Sequence, residues 1–205
     1  MKKFTISLLA MALVVGGSVA PALAGPYFSV NAGAVWVNDS DLDIDFLGDI
    51  GELSYDAGYG VNAAFGNAYG NGVRSELELA YRTNDIDEIS ISGLGSGSID
   101  GEVSSWGLMV NVYYDFDTGS AIKPFVGAGI GFANVDLELE GESDDDNVFA
   151  YQAMAGVGFA VSKAVTLDLQ YRFYATDDPS YKFEGMGVDS EYMTHNVMAG
   201  LRFNF

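Results

Sequence analysis

Trp106-Gly107-Leu108-Met109-Val110-Asn111-Val112-Tyr113-Tyr114-Asp115-Phe116 decides how this chain folds. Trp106, Leu108, Val110, Val112, Tyr114 and Phe116 form one face, opposed by Gly107, Met109, Asn111 and Asp115. A period of two is the signature of a β-strand, because successive side chains point to opposite faces. One face is greasy along its whole length and the other carries glycine, amide and carboxylate.

The same alternation recurs eight times. The apolar faces run Phe28–Trp36, Tyr55–Phe65, Val73–Tyr81, Trp106–Phe116, Val126–Phe132, Phe149–Phe159, Val165–Phe173 and Val197–Phe205. In the second run, Tyr55, Ala57 and Tyr59 belong to the apolar face and Asp56 to the opposite one. Connections after runs two, four and six are short: Asn67–Gly72, Asp117–Ala121 and Ser162-Lys163. The others extend over roughly fifteen residues each. Short turns at one end and long loops at the other predict an eight-stranded, antiparallel, up-and-down transmembrane β-barrel, with the turns and both termini periplasmic and the long loops extracellular.

Aromatic spacing points the same way. Tyr55 to Phe65, Trp106 to Phe116 and Phe149 to Phe159 each span ten residues. In a tilted strand that is about 25 Å along the membrane normal, the distance between two aromatic girdles. A soluble lipocalin-like barrel or sandwich would show its polar face to water. Here that face holds arginines and carboxylates among many glycines, which suits a cramped lumen better than a solvated surface.

The first residues read as an address, not as fold. Lys2 and Lys3 precede an apolar run from Phe4 to Val15 and the small-residue site Ala22-Leu23-Ala24. This predicts a signal peptide, residues 1–24, cleaved after Ala24, and a barrel over residues 25–205. The mature part then carries 7 basic against 29 acidic residues, a net charge of −22. Such a field excludes nucleic acid as a partner. The chain has no cysteine, which excludes disulfides, thiol chemistry and lipid attachment to a cysteine.

Three segments carry a family resemblance: the signal, Lys123-Pro124-Phe125-Val126-Gly127-Ala128-Gly129-Ile130-Gly131, and the closing Met198-Ala199-Gly200-Leu201-Arg202-Phe203-Asn204-Phe205. Together they resemble the OmpA-like and opacity-protein-like outer-membrane barrels. The resemblance implies an integral protein of the bacterial outer membrane, surface contact or adhesion for some members, and insertion by the barrel-assembly machinery. Phe203 and Phe205 then resemble the terminal assembly signal.

Inside the barrel, parity collects all four arginines: Arg74, Arg82, Arg172 and Arg202. Facing them are Asp56, Glu76, Glu78, Asp115 and Asp168. Near-balance and the choice of arginine predict bidentate ion pairs across the lumen. An eight-stranded lumen is barely wide enough for its own side chains. The cluster therefore reads as a structural plug made of Arg74, Glu76, Glu78, Arg82, Asp168, Arg172 and Arg202. The alternative is a narrow channel, or a binder for a small and hydrophobic solute.

Acid concentrates elsewhere. Of 29 carboxylates, 23 fall in residues 38–53, 84–102, 134–147 and 176–191, so the long loops carry the charge. Above the girdle the parity inverts: Val103 and Ile99, Val135, Leu137 and Leu139, and Tyr192 and Val188 turn inward. Asp100, Glu102, Asp136, Glu138, Glu140, Asp189 and Glu191 turn outward. This predicts strands that rise beyond the bilayer with an acidic collar at the level of lipopolysaccharide, read first as a solvated, mutually repelling surface, the alternative being a collar bridged to lipopolysaccharide phosphates by divalent cations.

No cofactor and no dedicated metal site follow from the residues. Asp41, Asp43, Asp45 and Glu52 match calcium-loop spacing, but Phe46 replaces the required glycine and no helices flank the stretch. Edge β-structure is the better reading, and Asp144-Asp145-Asp146 reads as a solvated loop tip. The lone histidine, His195, shares parity with Phe205 and is followed by Asn196 and Val197. A lipid A deacylase resembles a His-x-Ser arrangement, so the expectation is an interfacial histidine in a non-enzymatic barrel.

Overall fold

Alternation at period two becomes twelve strands in the computed structural model, which describes residues 23–38, 40–44, 48–91, 95–139, 142–177, 179–183, 186–190 and 192–205. They are β1 (Leu23–Val37), β2 (Ser40–Ile44), β3 (Gly48–Tyr55), β4 (Gly58–Tyr69), β5 (Val73–Ile91) and β6 (Gly95–Asp115), then β7 (Ile122–Leu139), β8 (Glu142–Ala160), β9 (Val165–Thr176), β10 (Ser180–Phe183), β11 (Met186–Ser190) and β12 (Met193–Asn204). The expected cleavage site lies outside the residues whose side chains are described.

Eight of these close a barrel. β1 pairs β4, and the chain of antiparallel pairs runs through β5, β6, β7, β8, β9 and β12 back to β1. One row of partners starts at Tyr27 and passes Gly66, Glu76, Asn111, Gly129, Gln152, Tyr174 and Thr194. It returns to β1 at Val37, ten residues above its start. Ten residues of stagger over eight strands correspond to a tilt of about 40°. Gly72 (φ 87°) and Gly119 (φ 68°) take the left-handed backbone needed in two of the three tight turns.

Apolar side chains coat the outside. Trp106 is 54% exposed and Phe132 68% at the loop end, as are Phe116 at 45% and Phe205 at 74% at the turn end. The other four strands extend the wall beyond the girdle: β3 pairs β5, β2 pairs β3, β11 pairs β2 and β10 pairs β11. Much of what reads as long loop is therefore strand, and Ser40–Ile44 is β-structure as expected, though not an edge, since β2 pairs with both β3 and β11. Asp45, Phe46, Ile99, Glu140 and Glu191, and the orientations of Leu139, Asp100, Val188 and Asp189, lie outside the described residues or side chains.

Two sequence expectations are corrected. The second run does not continue from Tyr55 through Ala57: β3 ends at Tyr55 and β4 starts at Gly58. Asp56 donates its N–H to the Asp85 carbonyl at 3.0 Å, yet Tyr59 pairs with Thr83, so three residue steps oppose two. One extra residue flips every side chain beyond it to the other face. Tyr55 consequently packs against the inner apolar cluster, and Asp56 is exposed instead of facing the lumen. The ten-residue aromatic interval thus holds for two strands, not three. Asp144-Asp145-Asp146 is not a loop tip either. It is part of β8, with Asp145 opposite Asp136 and Asp144 opposite Leu137.

Candidate functional site

Inward-facing residues of six barrel strands, β1, β5, β6, β8, β9 and β12, meet in one hydrogen-bonded network. Glu76 and Glu78 stand two apart on β5 and so share the lumen face. The Tyr27 and Tyr113 hydroxyls each donate to Glu76 at 2.8 Å, and Asn111 Nδ2 donates to Glu76 at 3.0 Å and to Glu78 at 3.3 Å. Gln152 Nε2 donates to Asn111 Oδ1 at 2.6 Å and to Glu78 at 3.3 Å. Arg172 Nη1 closes this group with an ion pair to Glu78, both side chains being fully buried, and donates to Gln152 Oε1 at 3.1 Å.

Toward the turns a second group joins the first. Arg74 Nε donates to Asp115 at 2.7 Å and its Nη1 reaches the Tyr27 oxygen at 3.3 Å. The Arg74 guanidinium lies 4.4 Å from the Tyr113 ring centroid, a cation–π contact. Arg202 spans two carboxylates, Asp168 at 3.0 Å and Asp115 at 3.5 Å. An unbroken path of polar contacts therefore runs from Asp168 through Arg202, Asp115, Arg74, Tyr27, Glu76, Asn111 and Glu78 to Arg172.

Glycines make the crossing possible. A Cβ at Gly127 would collide with the Tyr113 ring, and one at Gly129 with the Asn111 amide. Large side chains of β6 thus lie over the bare backbone of their direct partners on β7, which leaves room in an eight-stranded lumen for four arginines. With Asp56 outside, four arginines face four carboxylates: Glu76, Glu78, Asp115 and Asp168.

The pairing differs from expectation in two ways. No arginine grips a single carboxylate bidentately among the described contacts. Arg82, 1% exposed, forms no ion pair among the described residues: its guanidinium stacks 3.8 Å from the Tyr174 centroid and its Nε reaches Asn196 Oδ1 at 3.3 Å. The neutral members Tyr27, Asn111, Tyr113, Gln152 and Asn196 are the residues that charge counting missed. Lumen parity alone would have flagged Tyr113, which lies between Asn111 and Asp115.

Above Arg82 the interior turns apolar. Val37, Ile86, Val103, Met109, Ala133, Val135, Leu137, Val148, Ala150, Tyr174 and Tyr192 form one buried cluster, with Tyr55 against it. The predicted inversion thus holds at Val103, Val135, Leu137 and Tyr192. Outside it, Asp85 pairs with Glu102 and Glu102 with Glu138 across β5, β6 and β7. Partial burial first, then the facing charges of Asp145, Glu138 and Asp144, raise the Asp136 carboxyl above its ordinary range. Asn134 Nδ2 donates to Asp145 at 2.6 Å.

His195 sits where parity put it, on the outer wall between Trp36 and Phe173 in register. Its Nδ1 shares a hydrogen bond with the Tyr171 hydroxyl, and its ring stacks on Tyr171 at 6.0 Å.

A closed barrel with an apolar outside and a charged inside is the pattern shared by a known group. Residues 6–205 match the outer membrane protein beta-barrel domain. The chain belongs to that family. The Salmonella typhimurium outer membrane protein PagN is 24% identical over 100% of both chains. An adhesin candidate of Rickettsia conorii is 33% identical across 47% of each chain. The solved structure of the Pseudomonas aeruginosa outer membrane protein OprG has the same fold, with a TM-score of 0.62 at 15% identity over 91% of this chain and 100% of that one. Like its family, this outer-membrane barrel spans the bacterial outer membrane in contact with lipid and lipopolysaccharide, with its long extensions extracellular and its turns periplasmic.

Proposed function

We propose that this barrel is a plugged, non-catalytic surface protein whose acidic extracellular tier makes contact with the environment. The observation that carries the reading is the path from Asp168 to Arg172, which links opposite walls through buried charges. Moving an ion through it would break ion pairs at a cost of several kcal/mol each. Arg74, Glu76, Glu78, Arg82, Asp168, Arg172 and Arg202 are assigned to the plug. The similarity to an adhesin candidate supports a role in attachment. His195, with asparagine and valine after it, supports no acyl chemistry.

Three further assignments accompany this one. Residues 1–24 are removed as a signal peptide. Phe203 and Phe205 present the closing strand to the barrel-assembly machinery, and both lie on the outer parity, with Phe203 opposite Phe28. Divalent cations bridge the collar to lipopolysaccharide phosphates.

The test is electrical and cellular together. Purified barrel in planar bilayers is expected to give no steady current, and deletion of the β2–β3 and β10–β11 hairpins is expected to abolish cell attachment while leaving the barrel folded. A stable porin-like conductance would overturn the plug. Unchanged attachment after both deletions would overturn the surface role.

A further inference from the structure

Between its girdles the outer wall is not smooth. A groove of about 650 Å³ opens toward the lipid across β12, β1, β4 and β5 and reaches Trp106 on β6. The register shows what shapes it. One row of outward side chains passes from Trp106 through Tyr81, Val61 and Ala32 to Ala199. Two residues nearer the turns, a second row passes from Leu79 through Ala63 and Val30 to Leu201. Where Ala32, Ala63 and Ala199 stand, the wall drops toward Asn31, Asn62 and Gly200, the positions between the rows that face the lumen. The barrel's stagger lifts such a row by about 3 Å per strand, so Trp106 stands about 12 Å above Ala199, and Leu201 about 5 Å lower again. The groove therefore descends from the outer girdle by close to the roughly 15 Å of hydrocarbon in one leaflet. Its high end lies at Tyr81 and Trp106, whose ring centroids are 4.8 Å apart, and aromatic belts mark the level of lipid headgroups.

Depth and level fit one occupant. The groove continues the surface already in contact with lipid, and a chain lying in it touches protein on three sides, where a chain on a smooth wall touches on one. In hydrocarbon that difference is the driving force, because packing contacts and not the exclusion of water decide association there. A second copy of the barrel fits worse. A two-fold axis would set groove against groove and leave both unfilled. We propose that the groove seats one acyl chain of a lipopolysaccharide molecule, the lipid that meets this wall in the outer leaflet, with its headgroup at the level of Tyr81 and Trp106. The chain descends obliquely between the two rows. It crosses the contact of β1 with β12, the first and last strands of the barrel, so the bound lipid braces the seam that closes it.

The groove can be filled without touching the plug. The triple substitution Ala32→Leu, Ala63→Leu, Ala199→Leu adds apolar bulk on the lipid face, so that variant is expected to fold. A matched control, Ala128→Leu, Ala153→Leu, Ala155→Leu, adds the same bulk at exposed positions of β7 and β8, elsewhere on the wall. Barrels extracted from outer membranes in mild nonionic detergent are weighed by native mass spectrometry. Wild type and control are expected to retain one lipopolysaccharide molecule. The groove variant forfeits about ten atom contacts and is expected to retain it about tenfold less. Should that variant not fold, Ala199→Leu alone, at an exposed position, is expected to show a smaller loss in the same direction. In wild type, lipopolysaccharide with a photoactivatable group on its chain is expected to cross-link around Ala32 and Ala199. Wild type that carries no lipid, or carries phospholipid instead, would overturn the proposal. So would equal retention in all three proteins, equal loss in control and groove variant, or a lipid-free dimer that the groove variant breaks.

Discussion

Glu78 and Arg172 are the most deeply placed charges in the barrel, each with no exposed surface. Removing one partner strands the other in a medium that cannot solvate it. Glu78→Gln is expected to destabilise the barrel by about 3–5 kcal/mol, measured by urea unfolding in lipid vesicles. The double replacement Glu78→Leu with Arg172→Met removes both charges and is expected to cost less than the single change. If the double variant proves the weaker, the pair is not the unit that matters. Outside the membrane, Asp136 follows a different rule. Its folded carboxyl binds a proton more readily than the unfolded one, because burial and facing acids raise it. The penalty for its charge is absent below the unfolded value and grows as pH rises through the folded one. Asp136→Asn is therefore expected to raise the melting temperature slightly at neutral pH, and to reduce the gain that wild type shows on mild acidification. An identical pH profile in both would remove Asp136 from the account. The effect is small because Asp136 is mostly solvated.

At the scale of the strand, what the sequence reveals depends on how far the alternation runs unbroken. Trp106–Phe116 and Phe149–Phe159 keep one phase from girdle to girdle, so their faces were legible and both end on exposed aromatics. Tyr55–Phe65 also looks in phase. The extra residue lies among Asp56, Ala57 and Gly58, where small and polar residues carry no hydrophobic signal, so the bulge is invisible until the register is known. Composition misled at Asp144-Asp145-Asp146 for the opposite reason. Three adjacent acids argue for a loop, yet β7 already supplies a long edge that the β8 backbone can extend. The bulge has an optical consequence. In a background with Trp36 and Trp106 replaced by phenylalanine, a tryptophan at position 59 is expected to be quenched by brominated lipid. A tryptophan at position 55 is expected to be protected. Equal quenching would mean that the two share a face and that no bulge exists.

Across the whole molecule, charge is sorted by height: balanced inside the bilayer, acidic above it. The lumen was legible as a balance of charge, but not as a network, because hydroxyl and amide members have no charge to count. The outer tier faces a separate electrostatic problem, since Asp85, Glu102 and Glu138 stand in one row across three strands with no cation among them. Like charges directly opposite destabilise a sheet. Two remedies make distinguishable predictions. If screening alone relieves the row, sodium chloride and calcium chloride at equal ionic strength raise the melting temperature equally. If hard cations bind the carboxylate oxygens, millimolar calcium or magnesium does more than matched sodium. The expected outcome is the second, with the excess lost in the triple variant Asp85→Asn, Glu102→Gln, Glu138→Gln. Vesicles containing lipopolysaccharide should then enlarge the calcium effect over phosphatidylcholine vesicles, because only the former offer phosphates for the ion to bridge. A calcium effect no larger than that of matched sodium would leave the collar as a repelling surface, with its proximity to lipopolysaccharide an effect of height alone.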